Sequence, residues 1–283
     1  MPKLGIPDQV RNDTDNIMLI IFLILGLIIG SFLNAVVYRL NAVESLMERS
    51  HCPNCKKKVR WFDNVPLLSF VLLSAKCRDC GEKISWQYPV VEAMTGIVFA
   101  LIGNYFFNVL DLSSWMLTMY YLISFSILMI IFVYDFRYME IPMLILWLGV
   151  GVSLAFFLFS DWQNFGFATS ILDLRTISGI VGGLVAGGFF WSLAAYSKET
   201  WMGYGDAYLG LLVGMVVGWP NIIVALMLSF TIGALISVGL IAISKKTMKS
   251  QVPFAPFLIT GTFLVIILPQ MFPALKYWFF MLG

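Results

Sequence analysis

The sequence predicts an all-α polytopic membrane protein with about eight transmembrane helices and one small polar insertion between the first two. Composition is the first observation behind this prediction, because 60% of the 283 residues are hydrophobic and only 12% are charged, whereas a soluble domain has about 25% charged residues. The second is a series of apolar stretches of about 18 to 25 residues, each long enough to cross about 30 Å of hydrocarbon. The third is a single long polar segment that carries all four cysteines.

The predicted spans follow the apolar stretches in order along the chain. They run approximately over residues 17–37, 89–107, 115–134, 142–159, 177–195, 207–219, 222–243 and 254–268. The sixth is short and rich in glycine. The aromatic tail after the eighth span, from 269 to 283, is expected to lie along the interface or to extend the last helix. Three aspartates precede the first stretch and no small-residue cleavage site follows it, so we do not expect it to be a removable signal peptide.

The distribution of lysine and arginine predicts the orientation. With eight spans, 14 of the 18 basic residues fall in the connections on one side of the membrane and four on the other. An excess of basic residues marks the cytoplasmic side, which places the insertion in the cytoplasm and both termini outside.

The chain is then divided into a first segment with one helix (1–39), the insertion (40–88) and a transmembrane core (89–283). The net charge is only +2, so nucleic acid is not an expected partner. The expected partner is the lipid bilayer.

The cysteines of the insertion form two close pairs. Cys52 and Cys55 lie in "CPNC", Cys77 and Cys80 lie in "CRDC", and 21 residues separate the pairs. This spacing is typical of a zinc ribbon. Four thiolates complete a tetrahedral site and leave no position for water, so the predicted zinc is structural.

Two disulfides or four reduced thiols are the alternatives to zinc. The cytoplasm is reducing, which argues against disulfides, and a segment of this size has too small a core to fold without a metal or cross-link. His51, the only histidine, could replace one cysteine as a ligand or could be a solvated neighbour of Cys52.

Two acidic residues stand out at the edges of the apolar stretches. Asp135 ends the third predicted span and Asp206 opens the sixth, and the predicted topology puts both at the cytoplasmic boundary. Carboxylates at membrane depth are costly and indicate function. Two that lie close together share one proton, so that one can deprotonate water while the other donates a proton to a carbonyl oxygen. This is aspartyl-protease chemistry, and Gly203 and Gly205 would give it a tight turn, close helix approach and room for a substrate backbone.

Other interpretations of the two acids remain open at this point. Each aspartate alone could be a helix N-cap or an interfacial acid. A proton-coupled or cation-coupled transporter also uses paired membrane acids, but its sites usually lie near the midplane rather than at one edge.

Seven segments in order give the chain a resemblance to a known family. They are "GSFLNAVVYRL" (30–40), "CPNC" with "CRDC", "DNVPLLSF" (63–70), "ISWQYPVVE" (84–92), "YDFRYMEIP" (134–142), "GYGD" (203–206) and "PFAPFL" (253–258). With these segments the chain resembles the bacterial type IV prepilin leader peptidases and N-methyltransferases, within the G-x-G-D class of membrane aspartyl proteases. Two positions depart from the family pattern: Tyr208 stands where lysine is usual, and Ala255 stands where glycine is usual.

The resemblance implies a function and a location. Asp135 and Asp206 would be the catalytic pair, in a multi-pass protein of the bacterial inner membrane. The enzyme would cleave the short basic leader of type IV prepilins or pseudopilins after a glycine at the cytoplasmic face. It would then methylate the new N-terminal residue, often phenylalanine, with S-adenosylmethionine, and its products would serve pili, type II secretion or DNA uptake. A related protease without methylation is the alternative, although the shorter archaeal relatives lack the cysteine insertion.

The methyl-donor site is the least defined part of the sequence. No G-x-G-x-x-G follows a predicted strand, so a Rossmann site is not expected. By resemblance, Ser31, Asn34 and Glu92 could line the site. The alternatives are that Ser31 and Asn34 form hydrogen bonds between membrane helices and that Glu92 pairs with a loop cation such as Arg39.

Overall fold

The described part of the chain is helical, as the sequence predicts. A computed structural model of the protein describes residues 8–45, 48–164, 174–243 and 252–272. Its helices are α1 (Asp8–Ala42), α2 (Leu68–Leu72), α3 (Gln87–Phe106), α4 (Leu112–Tyr138), α5 (Met143–Asn164), α6 (Arg175–Ser197), α7 (Tyr204–Val217), α8 (Ile222–Ala242) and α9 (Ala255–Met271). A single 3-10 turn, Trp61–Asn64, precedes α2. The described residues contain no β-strand, and the cysteine insertion lies between α1 and α3, which confirms the predicted fold class.

All eight predicted spans coincide with helices. Within the described ranges, six helices are long and apolar enough to cross a membrane: α1, α3, α4, α5, α6 and α8. The other two, α7 and α9, have 14 and 17 residues. The protein is therefore a multi-pass membrane protein, and the exact number of spans stays a prediction.

Several helices extend beyond their predicted ends. Helix α4 continues to Tyr138, so Asp135 lies inside its last turn rather than after it, and the Met139 N–H donates to the Asp135 carbonyl at 2.8 Å. Helix α9 continues through Pro269 to Met271. The first residues of the aromatic tail thus extend the last helix, and residues 273–283 lie outside the described part.

The chain divides into two compact units, Met1–Ser126 and Ile127–Gly283. In the first unit α1 packs on α3, and a Cβ at Gly30 would lie 2.8 Å from the Cα of Glu92. In the second unit α6 packs on α7, and a Cβ at Gly214 would lie 2.7 Å from the Cα of Gly183. Small residues allow this close approach of membrane helices.

Replacing Gly214 by alanine is expected to destabilise the second unit. The added methyl group would overlap the backbone of Gly182 and Gly183, and overpacking of this kind lowers the free energy of unfolding by about 1 to 3 kcal/mol. Gly188→Ala on α6 is the matched control, because its Cβ would have no neighbour within 4 Å. Thermal unfolding of both variants in one detergent tests the prediction, which is wrong if Gly214→Ala is as stable as the control.

Candidate active site and cysteine cluster

The two cysteine pairs lie on loops of equivalent backbone geometry. In the first loop the Lys56 N–H donates to the Cys52 carbonyl, and in the second the Gly81 N–H donates to the Cys77 carbonyl, both at 2.9 Å. An antiparallel bridge closes each loop, His51 with Lys58 and Lys76 with Lys83. Each C-x-x-C segment is thus a tight turn that directs two sulfur atoms to one side.

The structure brings all four predicted metal ligands together. The four Sγ atoms of Cys52, Cys55, Cys77 and Cys80 lie within 4.8 Å of one another, and all four cysteines are free. The Sγ atoms of Cys52 and Cys80 are 3.8 Å apart, while sulfurs at Zn–S distances of about 2.3 Å on a tetrahedron are about 3.8 Å apart. The cluster could hold a metal ion such as zinc.

His51 lies outside the sulfur cluster. Its Nε2 is 3.6 Å from Oε1 of Glu44, and its ring lies edge-on to Tyr38 of α1 at 5.9 Å between centroids. The geometry therefore favours the interpretation of His51 as a neighbour of Cys52 rather than a metal ligand.

A bidentate ion pair connects the second cysteine loop to the 3-10 turn. Arg78 donates to Asp63 from Nη2 at 2.6 Å and from Nε at 3.0 Å. The hydrogen bonds from Arg78 lower the pKa of the Asp63 carboxyl group below its ordinary value. Lys57 and Asp79, 3.2 Å apart, join the two loops to each other. The Lys57–Asp79 pair is exposed, and a single exposed pair contributes little to holding the loops together.

The carboxylate of Asp135 is buried and lies at the N-terminus of a helix other than its own. Its side chain is on α4 and the residue is 6% exposed. Oδ2 accepts a hydrogen bond of 3.2 Å from the backbone N–H of Ala255, the first residue of α9. The partial positive charge at a helix N-terminus stabilises a carboxylate at this position.

Asp206 lies in the first turn of α7, close to Asp135. It is half-buried, and its carboxyl group interacts electrostatically with that of Asp135 and with the backbone amide of Gly203. The N-cap of α7 is Gly203, so the interpretation of Asp206 as the N-cap is wrong: Asp206 is the third helical residue. The structure therefore brings the two predicted acids together at the N-termini of α7 and α9.

The two glycines beside Asp206 have different surroundings. A Cβ at Gly205 would lie 3.3 Å from Cδ1 of Ile141, which follows α4, so Gly205 allows a close approach of the two acid-bearing segments. A Cβ at Gly203 would have no neighbour closer than the Gly205 nitrogen at 3.9 Å, and Gly203 is exposed. The space beside Gly203 is open to a bound chain.

The sequence analysis did not find the contact of Ala255 with Asp135. The only signal was the segment "PFAPFL", in which Pro256 takes the second position of α9, as proline often does at a helix start. Tyr208, the other departure from the family pattern, is exposed, and its ring lies 5.9 Å from the ring of Trp147 on α5.

Ser31, Asn34 and Glu92 lie together between α1 and α3 in the first unit. Glu92 accepts a hydrogen bond of 2.8 Å from the Leu67 N–H, and the Ser31 side chain interacts with its carboxyl group. The Asn34 amide donates to the Tyr88 carbonyl at 3.1 Å. Asn34 is 2% exposed, and its Oδ1 has no hydrogen-bond partner among the described residues. Since a buried polar atom is usually satisfied, this oxygen marks a place where a ligand donor would fit.

Comparison with known proteins gives matches along most of the chain. The model of the bacterial Peptidase A24 N-terminal domain matches residues 24–106, and that of the type IV leader peptidase family matches residues 122–238. The chain is 31% identical to the "Type 4 prepilin-like proteins leader peptide-processing enzyme" of Escherichia coli O78:H11, over 87% of this chain and 93% of that protein. It is 30% identical to the "Prepilin leader peptidase/N-methyltransferase" of Bacillus subtilis, with the same two coverages. The protein of that name in Pseudomonas aeruginosa is 27% identical over 83% of this chain and 85% of the relative. No solved structure gives a significant match.

Proposed function

Because this chain belongs to the prepilin leader peptidase/N-methyltransferase family, we propose that it cleaves the leader of type IV prepilin-like precursors and methylates the new N-terminal residue. It is an enzyme with two activities, and we assign the peptidase activity to Asp135 and Asp206. One observation carries this assignment: the buried carboxylate of Asp135 and the carboxylate of Asp206 interact at two helix N-termini.

The proposed cleavage uses the two acids as one unit. One carboxylate takes a proton from water, which adds to the scissile carbonyl carbon, while the protonated partner donates its proton to the carbonyl oxygen. The tetrahedral intermediate then collapses and the C–N bond breaks. The leaving amine takes the proton that the first carboxylate accepted from water, and the second carboxylate regains its proton from a hydroxyl group of the intermediate. The Ala255 N–H donates to Oδ2 of Asp135, so we assign the reaction with water to Oδ1.

The substrate reaches this pair as an extended segment. A peptide is cleaved only where it is not helical, so the junction between the basic leader and the apolar helix of a precursor would lie beside Gly203, where the space is open. The excess of basic residues in the connections on one side of the membrane supports a site at the cytoplasmic face of the bacterial inner membrane. Both termini would then lie on the other side.

The cysteine cluster is proposed to hold a structural zinc ion. Four thiolates within 4.8 Å of one another fit zinc and leave no open position for a substrate or water. Zinc would join the two cysteine loops, which are otherwise joined by the exposed Lys57–Asp79 ion pair and the Asn54–Glu82 hydrogen bond. It takes no part in cleavage.

The methyl donor is proposed to bind beside Ser31, Asn34 and Glu92. S-adenosylmethionine, when bound, supplies the methyl group and carries positive charge on sulfur and on its amino group. The Glu92 carboxylate can hold such a cation, and the unpartnered Oδ1 of Asn34 can accept a hydrogen bond from an amino group of the donor.

Glu92→Gln is expected to lower methyl transfer by about 10- to 100-fold, the effect of losing a hydrogen bond to a charged group. Leader cleavage should stay near the wild-type rate, because glutamine keeps a carbonyl oxygen for the Leu67 N–H. Both rates are measured with one preparation, with Asp111→Asn in an exposed loop as control. Unchanged methyl transfer, or an equal loss of both activities, would contradict the assignment.

The proposed function itself is tested with purified protein in lipid nanodiscs, a prepilin precursor and labelled S-adenosylmethionine. Mass spectrometry of the product should find a chain that begins after the leader and carries one methyl group. A cleaved product without the label would support a peptidase without methylation. An intact precursor, from protein that is folded and zinc-loaded, would contradict the proposal.

A further inference from the structure

The insertion contains a short helix with an exposed apolar face. Helix α2 has five residues, and three of them, Leu68, Val71 and Leu72, are 54%, 71% and 71% exposed. Their spacing of i, i+3 and i+4 places them on one face of a helix. Three large apolar side chains on one exposed face are unusual in a polar segment and indicate a contact with something apolar.

The opposite side of α2 is attached to the rest of the insertion. The buried Ser69 hydroxyl accepts a hydrogen bond from the Val65 N–H and donates one to the Phe62 carbonyl, both at 3.0 Å. The Phe70 ring lies edge-on to the Trp86 ring at 5.0 Å between centroids. These contacts fix the rotation of the helix, so the apolar face points outward as a property of the fold.

A hydrogen bond sets the depth of α2 relative to a membrane span. The Leu67 N–H, directly before α2, donates to Oε2 of Glu92 at 2.8 Å. Glu92 is the sixth residue of α3, which begins at Gln87 and is a candidate span along its whole length. With a rise of about 1.5 Å per residue, Glu92 lies about 7.5 Å beyond the start of the span. The start of α2 is therefore level with the first turns of a membrane helix.

We propose that α2 is an interfacial helix whose Leu68, Val71 and Leu72 side chains lie in the lipid bilayer, at the boundary between headgroups and acyl chains. Amphipathic helices bury their apolar face by about 5 to 10 Å at this boundary, which matches the depth set by Glu92. Trp86, 71% exposed and one residue before α3, lies where interfacial tryptophans are enriched. The helix thus attaches the cysteine insertion to the membrane surface, and this inference does not depend on the proposed catalytic activities.

Lipid contact at α2 is tested in the full-length, zinc-loaded protein in nanodiscs. A genetically encoded fluorescent amino acid replaces Val71, and the matched control carries it at Lys58, which is exposed on the first cysteine loop. Fluorescence at position 71 should be quenched by brominated lipids and shielded from aqueous iodide, with the reverse result at position 58. Iodide quenching at position 71 would overturn the proposal, because the face would be in water. Shielding from both quenchers would also overturn it, because protein would then cover the face.

A second variant does not depend on the fluorescent residue. Leu68→Ser with Val71→Ser removes most of the apolar face but none of the hydrogen bonds that hold α2, which use Leu67 and Ser69. In nanodiscs, a protease should cut the insertion of this variant several-fold faster than that of the wild type. The same rate for both proteins would contradict membrane attachment through α2.

Discussion

Asp135→Asn and Asp206→Asn are each expected to lower the rate of leader cleavage by about 100- to 10,000-fold, the usual contribution of a general acid or base. An asparagine cannot take a proton from water or share one with its partner, although it has the shape of aspartate. In Asp135→Asn the Ala255 N–H can still donate to the side-chain oxygen, so the site should keep its geometry. The measurement is the initial rate of leader removal from a prepilin precursor.

Two controls make this prediction specific. Asp111→Asn changes an exposed acid directly before α4, whose side chain accepts a hydrogen bond from the Ser113 N–H, and this variant should cleave at the wild-type rate. Both active-site variants should still methylate a pilin that has already lost its leader, because the methyl-donor residues are proposed to be a separate set. If a variant loses both activities together, general misfolding rather than loss of the acid explains the result.

Cys52→Ser with Cys55→Ser is expected to remove the bound zinc and to lower the yield of folded protein. Zinc binding to four thiolates provides folding free energy directly, and a structural zinc site of this kind is not stable with two thiolates. The amount of zinc per chain, measured by atomic emission on purified protein, should fall to near zero. The exposed Lys57–Asp79 ion pair and Asn54–Glu82 hydrogen bond between the two loops are too weak to hold them together.

His51→Ala is the matched control for the cysteine variant. His51 is next to Cys52 in the chain but lies outside the sulfur cluster, so zinc content should not change. Loss of zinc in this variant would identify His51 as a ligand, and unchanged zinc in the double cysteine variant would contradict the zinc site itself.

The sequence predicted the positions of the helices well because a long apolar stretch in a membrane must satisfy its own backbone hydrogen bonds, which an α-helix does. The helix ends were less accurate, since they depend on local backbone contacts. Helix α7 begins at Tyr204, with Gly203 as its N-cap. Asp206 is therefore inside the first turn, where it can face Asp135, and not in front of the helix. A cap preference alone could not distinguish these two positions.

The sequence predicted those parts of the candidate site that consist of reactive or metal-binding side chains. Four cysteines in two C-x-x-C pairs and two acids at helix edges are distinctive in a sequence this apolar. The Ala255 amide was not predictable, because every residue except proline has a backbone N–H and this one bonds a residue 120 positions away. Helix α2 was missed for a different reason: five residues are too few for a hydrophobic period to be recognised.

The rate of leader cleavage by the double variant Asp135→Asn with Asp206→Asn, beside the two single variants, tests most directly whether the acids act as one unit. Residues that act as a unit have non-additive effects. The double variant should therefore be about as slow as either single variant, with all three folded and zinc-loaded. Losses that multiply in the double variant, or normal cleavage by either single variant, would contradict the paired-acid site.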